Sequence, residues 1–145
     1  MGYPRSESIE IFNYEYLNLN DYKCDNQNDN SIVLYGEFNY MNILLMGDVS
    51  SKVERNIVID HPGLEVDIIK VSHHGSKYST CQELLDEYHP KIAILSYGYN
   101  NYGHPSLEVV NRLKRVGSRI YSTNKDGTLI FFSNYEKEIY LRILK

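Results

Sequence analysis

The sequence predicts an α/β (α+β) chain built on a mixed sheet with helices on one face. Three observations carry that prediction. Residues 66–71, Val-Asp-Ile-Ile-Lys-Val, form an apolar run of strand length, and a loop and a helical pattern follow it, which makes a β-loop-α unit. Residues 91–96, Lys-Ile-Ala-Ile-Leu-Ser, repeat the unit, so two strands enter the sheet through helical crossovers and run parallel. Residues 31–36 and 40–46 are two apolar runs separated by a short turn at 37–39, an antiparallel hairpin in the same sheet.

The remaining elements follow in chain order. Residues 1–8 are a polar lead-in containing one proline, and 9–14 have strand character. The Asn- and Asp-rich stretch 18–30 has too few apolar residues to bury itself and reads as an exposed, disorder-prone loop. A helix is expected over about 49–59, and the Pro-Gly pair after His61 ends it, leaving His61 at the surface. Another runs from 82 to 88, stopped because Pro90 disfavours helical geometry at His89, which falls near the negative end of the helix dipole. Ser106 caps the next helix, with Leu107, Val110, Leu113 and Val116 on its apolar face and Gly117 at its end. Strands at 118–122, 127–133 and 138–144 close the chain, the last two as a hairpin turning near Asn134.

At 145 residues this is one domain's worth of chain, divided into a lead-in over 1–30 and the main unit over 31–145. No apolar run approaches the roughly 20 residues of a membrane span, and the start does not resemble a signal peptide, so a soluble cytoplasmic chain is expected. A net charge of −4 argues against non-specific nucleic-acid binding through a basic surface and leaves only focused phosphate contacts. Cys24 and Cys81 are far apart without a C-x-x-C spacing, which excludes a zinc ribbon and a disulfide framework. The 14 tyrosines are assigned to strands and half-buried surface.

Chemistry-bearing residues collect where the strands end. The run Leu44-Leu45-Met46-Gly47-Asp48 finishes on a carboxylate, and Lys70-Val71-Ser72-His73-His74-Gly75-Ser76-Lys77-Tyr78-Ser79-Thr80 finishes on two imidazoles, a glycine and several hydroxyls before a helix starting near Ser79 or Thr80. Ligands of α/β proteins sit outside the carboxyl ends of strands, so Asp48 and the His73 loop meet at one sheet edge, a metal-site geometry with an anion cradle. Asp48 has a second reading as the N-cap of the helix that follows, and a single strand-end histidine is more often a hydrogen-bonded surface residue.

Taken together, Asn28-Asp29-Asn30-Ser31-Ile32-Val33-Leu34, Leu45-Met46-Gly47-Asp48, the His73 loop, Asn100-Asn101-Tyr102-Gly103-His104-Pro105 and Thr123-Asn124-Lys125-Asp126-Gly127 resemble, in order, the metallo-β-lactamase-fold domain of ComEC-type DNA-uptake competence proteins and their free-standing relatives. The resemblance covers nearly everything from Asn28 on. It implies half of a four-layer αββα sandwich and a hydrolase of nuclease or phosphodiesterase type with two metal ions, zinc or manganese, that acidify water at neutral pH. By resemblance, Asp48 bridges the two metals and is catalytic, and His73 or His74 is the last imidazole ligand. His104 contacts the scissile phosphate or protonates the leaving group, or is simply held in a turn before proline, and Gly75, Ser76 and Lys77 offer donors to the substrate phosphate, Lys77 having an equal reading as a solvated surface residue.

The chain departs from that pattern in two places. The His-x-His-x-Asp-His or His-x-Asp-x-Asp-His run that supplies most of the ligands is absent, and one Asp with one His falls short of the three or four ligands a tight zinc site needs. Asn124 stands where relatives carry Asp, so an acid function there is lost or moved to Asp126. The leading expectation is therefore the C-terminal half of a metal-dependent phosphodiester or nucleic-acid hydrolase, inactive alone, and extracytoplasmic if it is part of a membrane competence protein. The alternative is a non-catalytic scaffold that binds an anion or a partner. Half a sandwich leaves one apolar sheet face bare, so a homo-oligomer or a missing N-terminal half is expected to cover it.

Overall fold

The computed structural model describes residues 12–18 and 26–144. The lead-in at 1–8, part of the 9–14 strand, part of the Asn-rich loop and Cys24 lie outside the described residues.

Six strands, β1 (Phe12–Tyr16), β2 (Leu34–Phe38), β3 (Met41–Leu45), β4 (Ile68–Lys70), β5 (Ile92–Leu95) and β6 (Arg119–Ser122), form one mixed sheet in sequential order. The first three are mutually antiparallel, and β3 through β6 are parallel. Helices α1 (Ser51–Asp60), α2 (Gln82–Tyr88) and α3 (Leu107–Arg115) make the three crossovers. Crossovers of one hand in a sheet whose order never reverses place all their helices on the same face. Accordingly, Leu44, Ile69 and Ala93 of the sheet share one core with Val53 and Ile57 of α1, Leu84 and Leu85 of α2, and Val109 and Leu113 of α3. The predicted mixed sheet with helices on one face is the observed one. The carboxyl ends of four parallel strands therefore lie along a single edge. Among the described residues no helix is long and apolar enough to cross a membrane.

Several local expectations are corrected. The N-cap of α1 is Ser50 and not Asp48, because the chain makes an extra turn through Gly47 before the helix begins. The β2–β3 turn lies at Asn39 and Tyr40 and not at 37–39. Both residues have positive φ (46° and 66°), the geometry that matches hairpin twist in a two-residue loop. Within the stretch expected to be exposed, Gln27–Asn30 form a 3-10 turn, and Asp29 is buried because its carboxylate accepts the Ser50 amide at 2.8 Å. On α3, Leu107 is 72% exposed and Val109 takes its place in the core; two residues are about 200° apart on a helix, so the stripe through Val109 and Leu113 excludes Leu107. Helix α2 spans the expected 82–88 with Cys81 as its N-cap, so a start at Ser79 or Thr80 is excluded.

The second sheet face is not left bare. Strands β7 (Thr128–Ser133) and β8 (Ile139–Leu144) form the expected hairpin, paired only with each other among the described residues, and Phe131 and Ile139 pack on Met41, Ile68 and Ile92. The Asn39 side-chain Nδ2 also donates to the Ser133 carbonyl at 2.9 Å. The cover is partial. A cleft of about 730 Å³ remains between sheet and hairpin, lined by Leu45, Lys70, Ile94, Leu129, Phe131 and Leu144.

Candidate functional site

Each loop at the carboxyl edge is held by groups that point inward. After β3, Gly47 takes a positive φ of 58° and sits where a Cβ would lie 2.7 Å from Ser31 Cβ. The Ser31 hydroxyl accepts the Asp48 amide at 3.2 Å, so the Asn28–Ser31 segment fixes the turn that presents Asp48.

After β4, Ser72–Gly75 turn tightly, with His73 and His74 both at positive φ. Left-handed backbone at two consecutive non-glycine residues is costly and persists only where surrounding contacts enforce it. Those contacts converge on Glu54 of α1, which is 0% exposed. Its Oε1 accepts from the Ser72 hydroxyl (2.7 Å) and the Thr80 amide (2.6 Å), and its Oε2 accepts from the Cys81 amide (2.7 Å). The carboxylate therefore ties the start of the histidine loop to the start of α2, a negative charge where free helix amides favour one. Ser79 adds a hydroxyl donated to the Ser72 and Ser76 carbonyls.

Of the two histidines, His74 faces Asp48. Its Nδ1 lies 2.6 Å from the Ser96 carbonyl, which can only accept, so Nδ1 carries a proton and Nε2 is the nitrogen turned toward Asp48. That Nε2 lies 3.8 Å from Asp48 Oδ1. A backbone carbonyl that holds one imidazole N–H and so orients the other nitrogen is the arrangement found behind metal-ligating histidines. The His73 ring instead packs near His104, centroids 5.7 Å apart.

Lys70 completes the Asp48 side, donating to the Gly47 carbonyl at 3.1 Å and standing 3.8 Å from Asp48 Oδ1. Burial draws its ammonium below the usual lysine range, and Asp48 opposes that shift.

Gly75 packs beneath the loop after β5. A Cβ there would lie 2.7 Å from Pro105 Cβ and 2.9 Å from Leu95 Cδ2, and the Gly75 carbonyl accepts the Ser106 amide at 2.8 Å. His104 is thus delivered to the histidine loop. Its Nδ1 is buried without a hydrogen-bond partner among the described residues. Burial depresses the His104 pKa, with His73 and His74 adding to the effect, so its neutral imidazole is favoured.

The three residues named for the phosphate cradle are placed differently from one another. Ser76 is 2% exposed, with its hydroxyl accepting a long 3.4 Å bond from the Tyr78 amide, so it holds the loop and offers no donor outward. Gly75 acts through packing. Lys77 is exposed, its ammonium 4.9 Å from the centre of the Tyr78 ring. Asp126 is also engaged structurally. It accepts the Ser122 amide at 2.7 Å while the Ser122 hydroxyl accepts the Lys125 amide, a reciprocal cap of the short helix α4 (Thr123–Asp126).

Sequence reasoning missed Glu54 and Lys70. Glu54 shares a helix face with Val53 and Ile57, and an acidic residue at a core position of an amphipathic helix was the available signal. Lys70 lies two residues from Ile68 on a strand and so on the same sheet face, within an apolar run.

No family model matches this chain. It is 38% identical over 128 residues to ComE operon protein 3 of Bacillus subtilis (strain 168), a match spanning 86% of this chain and 16% of that protein. It is 32% identical over 120 residues to competence protein ComA of Neisseria gonorrhoeae (81% and 17%) and 34% identical over 101 residues to recombination protein 2 of Haemophilus influenzae (69% and 13%). The chain is similar to one segment of bacterial competence proteins. It spans about one-sixth of the length of these curated relatives. The competence-protein likeness expected from the sequence motifs is thus found by direct comparison.

Proposed function

We propose that this chain forms the C-terminal half of a metallo-β-lactamase-type αββα domain and supplies part of the site of a metal-dependent phosphodiester hydrolase. The observation that carries the reading is the meeting of Asp48 with Nε2 of His74 at the carboxyl edge of a parallel sheet. A sheet with helices on one face and a hairpin beginning a second layer on the other fits half of such a sandwich.

The donor set fits a zinc or manganese centre in kind but not in number. Among the described residues no three His, Cys, Asp or Glu side chains come together, whereas zinc takes three or four protein ligands. Further ligands would come from other parts of a longer chain or from residues outside those described. Metal ions at such a site supply Lewis acidity and a more acidic water. Asp48 would hold them as a carboxylate, and His74 as an imidazole whose tautomer Ser96 fixes. His104 Nδ1, buried and unpartnered, would take its hydrogen-bond partner from the bound phosphodiester or its leaving group.

The test joins this chain to the segment that precedes the matching region in a full-length relative and follows bis-(p-nitrophenyl) phosphate with zinc or manganese. Turnover is expected in the joined protein and not in the chain alone. Asp48→Ala abolishes it, and His104→Ala lowers it about 10²- to 10⁴-fold with metal retained. Absence of metal-dependent turnover in the joined protein overturns the reading. One observation favours the non-catalytic alternative: the Lys70 ammonium already lies 3.8 Å from Asp48. Elemental analysis after dialysis separates the two, with less than one tightly held ion per isolated chain expected, and two per joined chain if the site is catalytic.

A further inference from the structure

Strands β5 and β6 run parallel, so Lys91, just before Ile92, and Arg119, the first residue of β6, stand at the amino edge of the sheet, the far end from Asp48 and His74. The β7–β8 turn joins them there. The Asn39 side chain fastens the hairpin to the sheet through the Ser133 carbonyl, and Ile139 packs beside Ile92. Within the turn, Asn134 Oδ1 accepts the Glu136 and Glu138 amides, both at 3.0 Å, and the Asn134 carbonyl accepts the Lys137 amide at 2.9 Å. These bonds hold Lys137 at a φ of 60°, left-handed backbone that a lysine adopts at a cost and keeps only where its surroundings enforce it.

Lys91, Arg119 and Lys137, with Ile92, Ile139 and Gly117, line a cleft of about 380 Å³, and no acidic side chain lines it. Three cations around one cleft run against the chain's net charge of −4. The carboxylates of the adjoining segments are already engaged. Asp67 lies 2.6 Å from the Lys91 ammonium and accepts the Asn42 amide at 2.8 Å. Glu138, next to Lys137 in the chain, accepts from the Asn134 side chain at 2.8 Å and from the Tyr140 hydroxyl at 2.6 Å. The Arg119 and Lys137 side chains are left with no hydrogen bond or ion pair among the described residues. Like charges around one cleft repel, and an anion seated between them reverses that cost.

We propose that this amino-edge cleft binds a small organic phosphate monoester, its phosphate between Arg119 and Lys137 and its apolar body over Ile92 and Ile139. Each part of the lining selects a part of the ligand. Two uncommitted cations match a dianion, which a monoester phosphate is and a diester or a simple carboxylate is not. The guanidinium fork of Arg119 fits two phosphate oxygens at once, and the Lys137 ammonium supplies a second point charge. The two isoleucines offer surface that gains by leaving water with an apolar group and gains nothing from a bare ion. The volume is at the small end of ligand sites, which run from roughly 300 to 1,000 Å³. This site shares no residue with the carboxyl edge and stands apart from the phosphodiester reading.

The test is an NMR titration of the isotope-labelled chain in EDTA at low ionic strength and pH ~8, where a phosphate monoester with a second pKa near 6 is a dianion. Three probes separate the contributions: phenyl phosphate, inorganic phosphate, and methyl phenyl phosphate, which keeps the ring and carries one charge fewer. Phenyl phosphate is expected to saturate at or below about 1 mM and to shift the Gly117, Arg119 and Lys137 amides. Inorganic phosphate should bind at least about threefold more weakly for want of the ring, and methyl phenyl phosphate at least about threefold more weakly for want of the charge. Arg119→Gln and Lys137→Gln change exposed side chains, leave the fold intact, and should each weaken phenyl phosphate about 2- to 10-fold. Lys52→Gln, an exposed cation of α1 away from the cleft, controls for net charge and should change binding by less than about 1.5-fold. The proposal is overturned by any of four results: no saturable binding, equal binding of the three probes, Arg119 and Lys137 variants that bind like the unmodified chain, or a Lys52 variant that loses as much as they do. Turnover and metal enter none of these measurements, so the outcome leaves the carboxyl-edge reading untouched either way.

Discussion

Replacing Glu54 with glutamine tests whether one buried carboxylate holds the histidine loop in place. The substitution preserves shape and changes only the bonding. Glu54 accepts three hydrogen bonds, from the Ser72 hydroxyl, the Thr80 amide and the Cys81 amide. A glutamine with its oxygen at the Oε1 position keeps the first two without the charge, and charge-assisted bonds are roughly twice as strong as neutral ones. Its NH2 then meets the Cys81 amide donor to donor and leaves a buried N–H unsatisfied, at about 1–3 kcal/mol. The expected loss is about 2–5 kcal/mol, a large share of the roughly 5–15 kcal/mol by which domains are stable. For 145 residues that lowers Tm by roughly 5–20 °C. Urea unfolding followed by circular dichroism gives the free energy directly. Glu54→Asp, with the charge kept but the reach shortened by one methylene, should also be destabilised. A loss under about 0.5 kcal/mol for Glu54→Gln, the range of ordinary surface substitutions, refutes the assignment.

Gly75→Ala combines a positive φ of 82° with a Cβ 2.7 Å from Pro105 Cβ, and should lose about 2–4 kcal/mol in the same unfolding assay; an unchanged midpoint would mean that the two loops are not closely packed. His104 is expected to titrate by NMR with a midpoint below the ordinary histidine value near 6.5. Because its folded pKa is depressed, its contribution to stability is present above the unfolded pKa and is lost as pH falls through the folded one, so stability should drop below pH ~6.5 with a slope that His104→Gln removes. Burial, with Glu54 adding to it, pushes the Cys81 thiol up to about 12. In a Cys24→Ser background Cys81 should therefore resist a disulfide reagent at pH ~8 until urea unfolds the chain, and rapid stoichiometric labelling of the folded protein would contradict its burial.

The strand ends were legible because a short apolar run that stops on Asp48 or His73 states both its secondary structure and its edge. Which histidine faces Asp48 was not legible, since adjacent residues in an irregular turn have no fixed face; that choice depends on the Ser96 carbonyl, 22 positions away. Glu54 escaped for a related reason. A glutamate in a helix with exposed neighbours such as Lys52 and Arg55 reads as solvated, and only the position of the histidine loop turns it into a buried acceptor. Leu107 was misplaced because helical periodicity gives the spacing of a stripe but not its phase. The covering of the second sheet face depended on whether the β7–β8 hairpin folds back, a contact between distant segments that local pattern does not encode.

The site's supports run in one direction along the chain. The Asn28–Ser31 segment holds the loop after β3, through Asp29 on the Ser50 amide and Ser31 on the Asp48 amide. Helix α1, which that segment helps to begin, holds the loop after β4 through Glu54. That loop in turn carries Gly75 beneath Pro105 and accepts the Ser106 amide, setting the loop after β5. In each case the inward-facing groups are consumed by backbone amides, and Asp48, His74 and Tyr102 are left facing outward. Buried polar groups without partners cost more than the bonds they would make, so each step is a local energetic requirement whether or not the edge binds anything. Chemistry can then vary at the rim without disturbing the frame. Position 124 is an instance, because the reciprocal cap between Ser122 and Asp126 holds that loop whatever residue 124 contributes.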